Sequence, residues 1–91
     1  MATKYKIVDS KRFSKNFKKL SPQNRKSVRE ILNRLANDEI LEPKYRDHKL
    51  KGSYDGLREC HILPDLLLIY EKCEDILILN ALRIGSHSEL F

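Results

Sequence analysis

The chain has no tryptophan, three glycines and three prolines, and its two cysteines are Cys60 and Cys73. Two cysteines cannot build the disulfide framework of a small secreted scaffold, so buried free thiols in a reducing cytoplasm are expected. So little glycine and proline excludes a collagenous or low-complexity chain. No apolar run approaches the ~20 residues that span a bilayer. The start, Met1-Ala2-Thr3-Lys4-Tyr5-Lys6, has no apolar stretch behind it, so neither membrane nor secretion is expected. Neither type of glycine-rich phosphate loop is present around Gly52 and Gly56. The three histidines, His48, His61 and His87, contain no closely spaced ligand pair. No metal and no cofactor is expected.

What is present reads as an ordinary globular protein, with one domain expected over residues 1–91. Its charge is uneven. Residues 1–34 carry eleven Lys and Arg against two acids, net +9, whereas residues 35–91 carry seven bases against eleven acids, net −4. The first third is the expected footprint for a polyanion, either nucleic acid or an acidic protein segment. Lys15, Lys18, Lys19, Arg25 and Lys26 are its candidate RNA contacts.

Residues 4–8, Lys-Tyr-Lys-Ile-Val, predict a short strand. Asp9 or Ser10 offers a helix N-cap, and Phe13, Phe17 and Leu20 then fall on one helical face. Ser21-Pro22 starts a second helix, with Val28, Ile31, Leu32 and Leu35 on its apolar face, to about Asn37. The short break between them predicts an antiparallel hairpin. Residues 38–56 show no periodicity and predict an irregular segment, from which Lys49 and Lys51 can reach a phosphate backbone. Strands are predicted at Leu57–Leu63, Leu66–Glu71 and Ile76–Ile84, turning at Pro64-Asp65 and Glu74-Asp75. The run Leu66–Tyr70 suits a central strand covered on both sides. The fold class is α+β, ordered β-α-α-β-β-β, a helical hairpin on a small, mainly antiparallel sheet.

The candidate chemistry lies at the edges of predicted elements: His48 in the irregular segment, and His61, Asp65, Arg83 and His87 near strand ends that a meander can bring to one side of the sheet. RNA cleavage needs a base for the 2′-hydroxyl proton, an acid for the departing 5′-oxygen and a cation for the extra charge between them. Histidine suits both proton roles, and arginine binds phosphate oxygens with a planar fork. This set supplies all three without a metal.

Four motifs recur in a known pattern: Asp47-His48-x-Leu50-x-Gly52, Arg58-x-x-His61-x-x-Pro64-Asp65, Leu68-x-Tyr70 and Arg83-x-Gly85-Ser86-His87-x-x-Leu90-Phe91. Together they resemble the YafQ branch of the RelE/ParE superfamily of bacterial toxins. The resemblance is dense in motifs over residues 43–91. Over residues 1–42 it is only a strand and two basic helices. It implies a RelE-like fold and a metal-independent endoribonuclease that cuts mRNA in the A site of the 70S ribosome, silenced by a cognate antitoxin in the cytoplasm. It also implies His87 as general acid, with His48, His61 and Asp65 as base and tuning groups. Arg83 would hold the scissile phosphate, and Phe91 would orient an RNA base or shield the site. Leu66 stands where close relatives can carry an aromatic, so the grip on RNA is expected to differ. The alternatives are a ParE-like toxin that binds DNA gyrase and an inactive RNA-binding module.

Overall fold

The computed structural model describes residues 3–91; Met1 and Ala2, the start of the segment read as carrying no leader, lie outside the described residues. The elements are β1 (Lys6–Asp9), α1 (Lys11–Phe17), α2 (Pro22–Ala36), β2 (His48–Lys49), β3 (Arg58–Leu63), β4 (Leu66–Cys73), β5 (Ile78–Gly85) and α3 (His87–Leu90). Ser10, not Asp9, caps α1 by accepting from the backbone N–H of Phe13. Asp9 instead accepts a two-pronged contact from Arg29, at 2.6 and 3.1 Å. Ser21 caps α2 with Pro22 in its first turn. Arg25 donates to the carbonyls of Lys18 and Leu20, filling acceptors that α1 leaves open at its end.

The sheet order is β1-β5-β4-β3-β2. β3, β4 and β5 form the expected antiparallel meander, and β1 joins the far side of β5 in parallel. β4 is therefore central, and Leu66–Tyr70 are all buried. Alternation along the strands divides the apolar residues between two faces. One face packs Cys60, Ile62, Leu66, Leu68, Tyr70, Leu79, Ala81 and Ile84 with Phe13 of α1 and Val28, Ile31, Leu32, Leu35 and Ala36 of α2. The other holds a smaller cluster of Leu67, Ile69 and Leu90, flanked by Leu50, Leu57 and Leu82.

Five details differ from the sequence reading. The segment over 38–56 contains β2, two residues paired with β3; two residues are too few to show alternation. The last strand begins at Ile78, because Leu77 takes φ 54° in the preceding turn and Ile76 and Leu77 are exposed. A helix, α3, follows β5. Both cysteines are free, but only Cys60 is buried; Cys73 is half-buried, with its thiol 3.6 Å from Glu71. Finally, β5 carries an extra residue: Arg83 lies opposite Ile69 and Ala81 opposite Tyr70, so Leu82 is unpaired in a β-bulge.

Candidate active site

The candidate residues gather on the sheet face opposite the helical hairpin. Register places His48, Glu59, Ile69 and Arg83 in one row across β2, β3, β4 and β5. His61, Leu67 and Gly85 form the next row. Strands lie ~4.8 Å apart, so the first row spans about 14 Å, room for more than one nucleotide along an RNA strand.

At one end of the strip, a single carboxylate oxygen of Glu59 lies 3.6 Å from Nε2 of His48 and 3.5 Å from Nε2 of His61. Glu59 is the one buried charged residue among the described residues, 5% exposed. The Nδ1 of His48 lies 2.5 Å from the carbonyl oxygen of Arg46. A proton on Nδ1 donated to that carbonyl leaves Nε2 to exchange protons. Asp47, next in sequence, is structural: it accepts from Tyr70 at 2.5 Å and from Arg58 at 3.3 Å. Burial, then this contact with Asp47, holds the Tyr70 hydroxyl far above its ordinary range.

At the other end, Ser86 and Glu89 cap α3 reciprocally, and Glu89 is held ionised first by the backbone N–H of Ser86. A Cβ at Gly85 would come within 3.1 Å of the Glu89 carboxylate, so a larger residue there would press on this cap. Asp65, from the Pro64-Asp65 turn, accepts from the backbone N–H of His87 at 3.2 Å. It fixes where α3 begins rather than touching the imidazole. The His87 ring lies 5.2 Å from that of Phe91, and Phe91 meets Tyr54 edge-on at 5.4 Å. Arg83 donates weakly to the Glu89 carbonyl at 3.3 Å, and its Nε is buried without a partner. No carboxylate pairs with Arg83 among the described residues.

The structure thus gathers His48 and His61 on one side, and Asp65, Arg83, His87 and Phe91 on the other. Lys49 and Lys51 are exposed near His48. Lys15, Lys18 and Lys26 are exposed on the hairpin and make no ion pair among the described residues. Arg25 is spent on α1, and Lys19 is near enough to Glu89 to favour its charged form. Leu66 is 6% exposed in the helix-side core, so it faces away from the strip. Sequence reasoning missed Glu59 and Tyr54. Glu59 stands two residues before His61 on one strand, which puts both on the same face.

The model of the family described as "Bacterial toxin of type II toxin-antitoxin system, YafQ" matches residues 5–91. The mRNA interferase toxin YafQ of Escherichia coli K12 is 32% identical over 88 residues, covering 93% of this chain and 94% of that protein. A metal-bound toxin from Helicobacter pylori superposes with TM-score 0.84 at 40% identity, covering 96% of this chain and 99% of that one. YafQ in the E. coli DinJ–YafQ complex superposes with TM-score 0.80 at 32% identity, covering 96% and 98%. The metal in the H. pylori toxin prompts a test of fit here. The two histidine–Glu59 spacings suit ligands of a tetrahedral ion, about 3.3–3.6 Å apart. Yet no three His, Cys, Asp or Glu side chains among the described residues close into a cage.

Proposed function

This chain belongs to the YafQ family of bacterial type II toxins, and from that premise we propose that it is an mRNA endoribonuclease working by side-chain acid–base chemistry. The observation that carries this reading is a guanidinium, Arg83, without an ion pair among the described residues, at the same end of the open sheet face as a lone histidine, His87, with a histidine–carboxylate group at the other end. The RNA strand lies along the strip with its scissile phosphate at Arg83. The His48–Glu59–His61 group takes the 2′-hydroxyl proton, and Glu59 stabilises the imidazolium that results. The O2′–P bond forms as the P–O5′ bond breaks, and His87 delivers a proton to O5′. The products are a 2′,3′-cyclic phosphate and a 5′-hydroxyl. Asp65 serves by holding the start of α3 in place, and Phe91 by packing against the His87 ring. Since the donors here form no metal cage, no step runs through an ion.

The same reading gives the chain a cognate antitoxin, the ribosomal A site as workplace and the cytoplasm as location. No helix of the described residues is long and apolar enough to cross a membrane. Charge supports the partners: Lys15, Lys18 and Lys26 make no ion pair among the described residues, which suits an RNA backbone or an acidic antitoxin tail. A gyrase-binding toxin has no use for the acid–base strip. The deciding experiment adds purified protein to a translating extract and maps mRNA 5′ ends. New 5′-hydroxyl ends that persist with excess chelator, once ribosomal magnesium is maintained, are expected. Halted translation without new ends, or cleavage restored only by one divalent ion, would overturn the reading.

A further inference from the structure

We propose that the hollow beside Arg83 is a nucleobase subsite, which seats one base of the RNA next to the scissile phosphate with Tyr54 as its stacking wall. The inference rests on the nuclease reading above and adds to it where the substrate's base goes. The hollow measures about 400 Å³, at the small end of the ~300–1,000 Å³ usual for ligand sites, so it suits one nucleotide. Its lining is mostly apolar: buried Ile69 and Leu90, with half-buried Leu57 and Leu82. Tyr54 and Arg83 line it too, which makes it continuous with the catalytic strip.

Charge decides what the occupant is. Besides Arg83, the hollow is lined by Lys11 and Arg12, both exposed and without an ion pair among the described residues. No carboxylate lines it. An apolar recess edged by three cations fits a group that is flat and uncharged in itself but flanked by phosphates, and a nucleobase in a single strand is such a group. An apolar side chain of a protein would leave the cations unused. Tyr54 is 39% exposed, so its ring has surface left to stack after its edge contact with Phe91. It supplies on this face the aromatic surface that Leu66, packed in the core, does not. Ser10 offers little discrimination, because its hydroxyl already donates to the Leu82 carbonyl at 2.8 Å. The subsite therefore selects by stacking area and size, and purines are favoured over pyrimidines.

The test uses two probes, the four nucleoside 5′-monophosphates and ribose 5-phosphate, with binding followed by backbone and methyl NMR shifts. The nucleotides should bind about 5- to 100-fold more tightly than the baseless sugar phosphate, the range expected for one stacked base, and should shift Leu57, Leu82 and Leu90. Tyr54→Leu should abolish that preference, and Tyr54→Phe should keep it. Arg12→Ser should weaken both probes alike. In cleavage, Tyr54→Leu should raise KM by a similar factor while kcat stays within about threefold. Equal binding of the two probes, or an undiminished base preference in Tyr54→Leu, overturns the subsite. So does a fall in kcat at constant KM, which would mean that Tyr54 acts only through Phe91 on His87. A protein that shows the base preference and cuts no RNA keeps the subsite and loses the nuclease reading.

Discussion

The two faces of the sheet are made from alternate residues of the same strands, yet they are finished differently. On the hairpin side, Cys60, Leu68, Tyr70, Leu79 and Ile84 are fully buried under α1 and α2. On the other side, a small apolar cluster is covered only by the four-residue α3 and its flanks, and the polar row His48–Glu59–Arg83 crosses it. The closed face can be apolar at its centre because burial there is complete, and the hydroxyl of buried Tyr70 is met by Asp47. The open face must keep histidines and an arginine within reach of a substrate, with the Glu59 carboxylate buried beside two of the imidazoles, and a few leucines hold them in position. Stability and chemistry are thus separated by one residue's step along each strand.

Four sets of substitutions test that separation. His87→Ala should lower cleavage by about 10²–10⁴-fold, the usual worth of a positioned proton-transfer group, with Tm unchanged because His87 is exposed. Single-turnover rates and a thermal melt measure both, and near-normal cleavage by the folded variant would remove His87 from the reaction. Leu68→Ala on the closed face should behave oppositely. It should lose about 2–5 kcal/mol of stability in a denaturant titration, while the fraction still folded cuts RNA at the normal rate. Charge reversals come next. Lys49→Glu and Lys51→Glu should each flatten the salt dependence of RNA affinity by about one unit of slope. Lys15→Glu and Lys18→Glu should do the same if RNA reaches the hairpin; an unchanged slope would confine RNA to the open face. The smallest effect is expected at the sheet's edge, away from both faces. Hydrogen bonds from Lys4 and then Lys72 hold the Asp38 carboxyl below its usual range. A depressed acid adds stability above the unfolded value, near 3.9, and loses it as pH falls through the folded one. Asp38→Asn should therefore melt slightly earlier than the parent at pH 7 and converge with it once the pH has fallen through the depressed folded-state value. Asparagine tolerates the left-handed backbone at this position, φ 60°, so a difference that persists in acid would point to the backbone rather than the charge.

Much of this architecture was legible because its signals are local and periodic. Ser10, Ser21 and Pro22 announce two helices, and five consecutive apolar residues, Leu66–Tyr70, announce a strand covered on both sides. What was not legible depends on pairing. β2 exists because His48 and Lys49 meet β3, and nothing in two residues reveals that. Glu59 reads in sequence as one more strand acid; only the register with His48 shows that it sits between two imidazoles. α3 did carry a signal, Ser86 with Glu89 three residues on, but four residues are too few for a helical face to show. Tyr54 lies in a short turn where spacing says nothing about direction.

The bulge at Leu82 has a consequence for how this strand can change. In a strand of the same length without the bulge, alternation would carry on from Ala81, and Arg83 would share its face. The guanidinium would then point into the hairpin core, and Ile84, now fully buried, would point outward. That would strand a charge among leucines at a cost of several kcal/mol and remove the phosphate's partner from the strip in the same stroke. Deleting Leu82 has the opposite outcome, because it takes out the unpaired residue and leaves Arg83 opposite Ile69. β5 should therefore survive the loss of that one residue, whereas an insertion between Arg83 and α3 would turn Ile84 out of the core. Which residue lies opposite Ile69 is a simple check on whether a variant chain can still place an arginine at the reaction.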